Sequence, residues 1–294
     1  MGISQTKMGF RALAGVPEGS ALLDVHGVRI AAARQGRGLP LVCLHAVGHG
    51  GRDYESFAAR MKDHFHVIRL DWPGHGRSGE DFLPPEAGRY AELLHGVLAL
   101  LGIERPIIVG NSIGGAAALH YASRHPVRAL VLCNTGGLMP VTHSTRRACA
   151  VFARFFAGGE RRAWWFKAAF RAYYRFLVLP MPQARDQRER IIAACHEVAP
   201  VLRGAWLKFG RQDADLRGLA KELDVPIWFA WAAQDRIIPL ERNLPAIRQV
   251  KRASLTVFRG GHAAFLEEPE PFALDFLAFC GRHQMMAQQA EESW

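Results

Sequence analysis

Short apolar runs alternate with longer stretches of helical periodicity over most of this chain, and that alternation leaves few architectures open. Residues 22–26 and 29–34, split by Gly27, read as an opening pair of strands. Residues 39–45 form a continuous apolar run, as a strand covered on both faces requires. Further strands are expected at 66–72, 106–110, 128–134, 226–232 and 254–259. Helical patterns lie between them at 54–61, with Asp53 as the expected N-cap, at 86–101, stopped by Gly102, and at 113–123. A last helix is expected over 271–282, followed by a polar tail. Strands joined through helices need crossover connections and lie parallel. The fold class is therefore α/β, a mostly parallel doubly wound sheet with helices on both faces.

One stretch breaks the alternation. Over 138–210 the strand signal vanishes and only helical patterns remain, which divides the chain into a core at 1–137 and 211–294 and an all-helical insert. Charge divides it at nearly the same places. Between Arg146 and Arg211, twelve Arg and two Lys face four acids, which is the whole net excess of +10; the remainder is balanced. Phe166, Phe170, Tyr173, Tyr174 and Leu177 recur at helical spacing as an aromatic face, with Lys167, Arg171 and Arg175 as a basic stripe beside it. Aromatics packing the insert onto the core, and bases on a solvated surface, are the simplest expectation. An apolar substrate pocket lined by Asn111, Phe166, Phe170 and Tyr173, and a basic surface that attracts an anionic substrate or a membrane, are the functional ones.

Composition excludes several classes. No apolar run approaches the ~20 residues of a membrane-spanning helix. The start, Met1-Gly2-Ile3-Ser4-Gln5-Thr6, has no basic-then-apolar leader and fits only the loose myristoylation pattern, so a plain polar start is expected. Five scattered cysteines, with no C-x-x-C pair, read as buried free thiols of a cytoplasmic protein. No metal-ligand spacing, phosphate-cradling glycine loop or nucleic-acid motif is legible, so no cofactor and no nucleic-acid partner are expected.

The chemistry concentrates in Val109-Gly110-Asn111-Ser112-Ile113-Gly114-Gly115, between an apolar strand and an Ala-rich helix. A turn this sharp holds its central residue in strained geometry and needs glycine two residues to either side, which Gly110 and Gly114 supply. Ser112 is then lifted above the sheet beside a helix N-terminus, whose free N–H groups suit a developing negative charge. Serine is inert without a base, itself oriented by a third group. Of the thirteen histidines, His262 stands apart because it follows Arg259-Gly260-Gly261 at a strand end, where a loop can return toward Ser112.

Four segments in order, Leu44-His45-Ala46, Asp71 through Gly79, the turn around Ser112, and Gly260-Gly261-His262, resemble the α/β-hydrolase fold superfamily over nearly the whole chain outside the insert. The resemblance implies a Ser112–His262–Asp235 triad, with Asp235 after the penultimate strand. Asp213, Asp215 and Asp224 compete by residue type, but none directly follows a strand. The place after the preceding strand, where some relatives keep the acid, holds Asn134, which cannot substitute. The resemblance also implies an oxyanion hole from the N–H groups of Ile113 and Val47, makes His45 and His75 loop buttresses, and identifies the insert as a cap over the site. Ala46 stands where relatives often have glycine, which would be strained if that residue needs a positive φ.

Haloalkane dehalogenases and epoxide hydrolases are similar but place a carboxylate where this chain has Ser112. The turn is also similar to that of meta-cleavage C–C hydrolases, which usually carry tryptophan after the base; here Ala263 follows His262. The expectation is a cofactor-free serine esterase acting on small apolar or aromatic esters. The alternatives are a C–C hydrolase whose basic cap binds a carboxylate and a non-catalytic receptor that keeps the triad.

Overall fold

The computed structural model describes residues 19–286; the N-terminal motif and the end of the polar tail lie outside them. The opening strands are β1 (Ser20–Val25) and β2 (Val28–Gln35), and their hairpin turns at His26 and Gly27, both in the left-handed region. Then come β3 (Leu39–Leu44), α1 (Glu55–Met61), β4 (Phe65–Leu70), α2 (Ala87–Leu100), β5 (Ile107–Asn111), α3 (Ile113–Ala122) and β6 (Ala129–Cys133). After the insert the alternation resumes as β7 (Ile227–Ala232), α9 (Leu240–Ile247), β8 (Ala253–Phe258), α10 (Ala264–Glu267) and α11 (Pro269–Arg282).

The eight strands form one sheet in the order β1-β2-β4-β3-β5-β6-β7-β8. β2 pairs antiparallel with β1 and β4, and every other pairing is parallel. All residues of β5, β6 and β7 are buried, as central parallel strands covered by helices on both faces must be. β8, at the edge, is exposed over most of its length. Phe57 of α1 meets Phe272 and Phe276 of α11 edge to face, with ring centroids 5.3 and 5.1 Å apart. α2 packs on α3 as a second pair.

Between β6 and β7 the regular elements are helices: α4 (His143–Glu160), α5 (Phe166–Tyr173), α6 (Arg185–Ala193), α7 (Cys195–Phe209) and α8 (Arg217–Glu222). Thr142 caps α4, its side chain accepting from the Thr145 N–H. α4 and α7 pack along each other as the frame of this insert. The helical register breaks at a π-turn over Tyr174–Val178, just after α5. Among the described residues, no helix is long and apolar enough to cross a membrane. All five cysteines are free and buried.

One expected cap is corrected. Residues 51–54 form a single 3₁₀ turn before α1, and Asp53 caps nothing: its carboxylate is turned inward to His49 and Gln187. Two buried side-chain donors thus take the place of the exposed N–H groups of a short helix.

Candidate active site

Ser112 sits between β5 and α3 with φ +55° and ψ −117°, a strained geometry for any residue but glycine. The turn closes only because its neighbours lack side chains. A Cβ on Gly114 would lie 2.3 Å from the Leu44 carbonyl oxygen, and one on Gly110 would lie 2.6 Å from the Gly114 carbonyl oxygen. The Ser112 carbonyl accepts the N–H groups of Gly115, Ala116 and Gly136, which fixes the turn from two sides. Ile113 opens α3, so its N–H has no carbonyl one turn back to bond.

Asp235 and His262 come from the loops after β7 and β8. His262 Nδ1 lies 2.8 Å from Asp235 Oδ2, and both groups are buried. Asp235 Oδ1 accepts the N–H groups of Ile237 and Ile238 at 2.7 and 2.9 Å. With its oxygens acting as acceptors, the carboxylate takes the proton-bearing Nδ1 of His262 and leaves Nε2 as the ring's basic atom. Asn111, beside Ser112, donates Nδ2 to the His262 carbonyl at 2.8 Å and so ties the histidine loop to the serine turn. The His262 N–H donates to the Val178 carbonyl at 2.7 Å, tying the same loop to the insert.

Asn134 enters by a route the sequence did not reveal. Its Nδ2 donates to Asp235 Oδ2 at 2.6 Å, and its Oδ1 accepts the Ala232 N–H at 3.1 Å. Asparagine is no substitute for the acid, yet from that position it holds the acid. Its left-handed φ of +43° is one that asparagine tolerates better than most residues.

The loop after β3 is buttressed by two histidines. His45 Nδ1 donates to the Ala46 carbonyl at 2.7 Å and Nε2 accepts the Trp72 N–H at 2.9 Å. His75 Nδ1 donates to the Pro73 carbonyl at 2.9 Å and Nε2 accepts the Gly48 N–H at 2.8 Å. Burial pushes their pKa values down to about 4 and about 3, so both rings stay neutral and serve as fixed acceptors at neutral pH. The left-handed residue of this loop is Gly48, at φ +78°, and not Ala46, so alanine there carries no strain. The Gly48 and His49 N–H groups are bonded to His75 Nε2 and the Ala46 carbonyl, whereas the Val47 N–H has no such partner among the described residues.

Ser112, Ile113, Val47, Ala46 and His262 open onto a cavity of about 220 Å³. Its walls are mainly apolar: Ala116, Met139, Val141, Val178, Leu202, Trp206, Leu216, Ile237 and Ile238. Of the aromatics expected here, Tyr173 reaches the cavity and is joined by Tyr174. Phe166 and Phe170 do not line it. Both are fully buried inside the insert, packed in tilted and edge-to-face contacts with Phe155, Phe156, Tyr174 and each other. Asn111 is likewise absent from the wall, since its amide is spent on the Cys133 and His262 carbonyls. Leu202 and Trp206 of α7 take the place those residues were expected to fill. Their spacing on one helix face was legible, but nothing in the sequence said which way that face turned. The basic stripe of Lys167, Arg171 and Arg175 is exposed and stays off the cavity. Lys208 is the cavity's cation, and it pairs with Glu86 at 2.6 Å.

Comparison with known proteins bears on the family and the fold. The chain is 26% identical over 273 residues to a 2-hydroxy-6-oxononadienedioate/2-hydroxy-6-oxononatrienedioate hydrolase of Comamonas testosteroni, covering 83% of this chain and 89% of that protein. Among solved structures it is similar to a thermophilic esterase of Thermogutta terrifontis, with a TM-score of 0.75, 20% identity, and coverage of 87% of this chain and 94% of that one. It is also similar to a membrane phospholipase A described as a bacterial virulence factor, with a TM-score of 0.72, 25% identity, and coverage of 90% and 86%. The model of the alpha/beta hydrolase family matches residues 41–275, from within β3 into α11, and the chain belongs to that family.

Proposed function

We propose that this hydrolase cleaves carboxylic esters of apolar substrates through an acyl-enzyme. The observation that carries the reading is the convergence of a strained Ser112 and an Asp235-held His262 on one largely apolar cavity. In the first half-reaction, His262 Nε2 removes the Ser112 hydroxyl proton as Oγ attacks the ester carbonyl carbon. Asp235 keeps the Nδ1 proton in place and stabilises the imidazolium that forms. The N–H groups of Ile113 and Val47 receive the tetrahedral oxyanion. Collapse of that intermediate breaks the C–O bond, and His262 gives its proton to the leaving alcohol. Water, deprotonated by His262, then attacks the acyl-serine, and collapse releases the acid as the Ser112 Oγ–acyl bond breaks and His262 returns the proton to Oγ. The insert acts as a cap whose Tyr173, Leu202 and Trp206 shape the acyl or alcohol pocket.

Cavity chemistry supports ester over C–C cleavage. A vinylogous diketone acid would bring a carboxylate into the site, and the lining cation Lys208 is already neutralised by Glu86. Likeness to the Comamonas testosteroni hydrolase favours the second reading, so the test compares both substrates. Purified protein is expected to hydrolyse short p-nitrophenyl esters, with turnover lowered by several orders of magnitude in Ser112→Ala. Turnover of a 2-hydroxy-6-oxo-dienoate with higher kcat/KM than any ester would replace this reading with C–C hydrolysis. Ester turnover unchanged in Ser112→Ala would reject both.

A further inference from the structure

A second buried His–Asp pair lies beside the cavity. His49 lines the cavity, and its Nδ1 lies 2.6 Å from Asp53 Oδ2; both side chains are almost wholly removed from solvent. Asp53 Oδ1 accepts the side-chain amide of Gln187, which reaches across from α6 of the cap. Gln187 is oriented in turn by Arg190, whose Nε donates to its Oε1 at 2.8 Å. Because the amide N–H₂ of Gln187 is a donor, Asp53 is the acceptor throughout. His49 therefore carries its proton on Nδ1, and in the neutral ring Nε2 is a lone pair.

The three histidines of this region differ in one respect. His45 and His75 have both ring nitrogens bonded within the protein. His49 has no partner at Nε2 among the described residues, and that atom is not occluded from the cavity. A buttress would have used both nitrogens. A buried polar atom left open beside apolar walls, and oriented by a relay of three side chains, is what recognition of a polar ligand atom requires.

We propose that His49 is a specificity-determining residue whose Nε2 accepts a hydrogen bond from a substrate hydroxyl, so that esters bearing a hydroxyl near the scissile carbonyl are the preferred class. The position argues for proximity to the carbonyl. The His49 N–H bonds back to the Ala46 carbonyl, closing the turn that carries the Val47 N–H proposed above for the oxyanion. The Tyr174 ring lies 5.7 Å from the His49 ring and fills the cap side of the same corner. Gln187 makes the arrangement depend on a seated cap, because without it Asp53 loses one of its two partners. This inference rests on the ester reading, and its test separates the two.

The test uses two matched pairs of esters. p-Nitrophenyl 3-hydroxybutyrate against the butyrate places the hydroxyl on the acyl side. 2-Hydroxyethyl butyrate against propyl butyrate places it on the alcohol side. In wild type, one pair is expected to show higher kcat/KM for the hydroxylated member. His49→Asn keeps an N–H toward Asp53 but has no atom at the Nε2 position. It should cut that preference, read as the ratio of kcat/KM within the pair, about tenfold. Gln187→Leu should cut the same preference by a smaller factor. A loss falling equally on both members of each pair, or a preference unchanged by His49→Asn, overturns the proposal. So does the absence of any preference in wild type. If His49→Asn fails to fold, competitive inhibition of wild type by 3-hydroxybutyrate and butyrate decides instead, with equal inhibition overturning the acyl-side form. Labelling of Ser112 by a fluorophosphonate is read in each variant. Intact labelling with an unchanged ratio rejects the role of His49 alone, whereas no labelling of wild type rejects the ester reading.

Discussion

Replacing Glu267 by Gln should change the pH dependence of stability in a calculable way. Glu267 lies in α10, is fully buried, and bridges two structural units. Its Oε2 accepts the Gly261 N–H at 2.6 Å, next to His262, and its Oε1 accepts the Met181 N–H at 3.0 Å in the insert. Burial pushes its pKa up from 4.5 to about 7, against the opposing pull of the backbone N–H groups and of His262. The folded state therefore holds this proton more tightly than the unfolded chain does. The resulting stabilisation is complete below about pH 4.5, falls as pH rises, and is gone above about pH 7. At about 1.4 kcal/mol per pH unit, the whole span is about 3 kcal/mol. Glutamine does not titrate, so that loss disappears from the variant. One N–H, however, then faces an amide N–H₂ in place of an oxygen, at a cost of about 1–3 kcal/mol at every pH. Urea unfolding at about pH 5 and about pH 8, followed by tryptophan fluorescence, reads both effects. The variant should be the less stable protein at pH 5 and should recover by about 2–3 kcal/mol relative to wild type at pH 8. A difference between the two proteins that does not move with pH would refute the reasoning.

Other outcomes follow from the same contacts. Asn134→Leu removes the 2.6 Å hydrogen bond to Asp235 and should lower kcat about tenfold with KM unchanged, measured by steady-state ester kinetics. Ser112→Gly should abolish turnover yet raise stability by about 1 kcal/mol in thermal denaturation, because glycine accepts the φ of +55°. Phe170→Ala should cost about 3–5 kcal/mol of stability, since the ring is fully buried among the aromatics of the insert. Trp206→Ala should instead act on KM for longer acyl chains, because that ring lines the cavity.

What the sequence disclosed divides by physical kind. Strands covered on both faces, such as β5 and β7, announce themselves as uninterrupted apolar runs, and the positions of all eight strands were readable from that pattern and the turn residues. The strained turn at Ser112 was equally plain, because close backbone approach requires Gly110 and Gly114 in fixed positions. Relations between distant side chains left no such mark. Phe166, Phe170 and Tyr173 share a helix face by spacing, but spacing does not say that Phe166 and Phe170 look into the cap while Tyr173 looks into the cavity. The π-turn at Tyr174–Val178 then shifts the register, bringing the Val178 carbonyl to the His262 N–H, and no periodicity argument includes that shift. Asp53 reads locally as a cap, and only the three-dimensional placement of His49 and Gln187 turns it inward. Asn134 was legible as a residue that cannot be the acid. Its hydrogen bond to the acid spans 101 residues of chain and was not.

If Asp235 and His262 convert Ser112 into a nucleophile, both the rate and the site of fluorophosphonate labelling depend on them. Intact-protein and peptide mass spectrometry should find one adduct, on Ser112, formed at least a hundredfold more slowly in His262→Ala and in Asp235→Asn, on the order of other triad enzymes. An adduct on a different residue, or labelling of Ser112 at the wild-type rate after His262 is removed, would contradict the account.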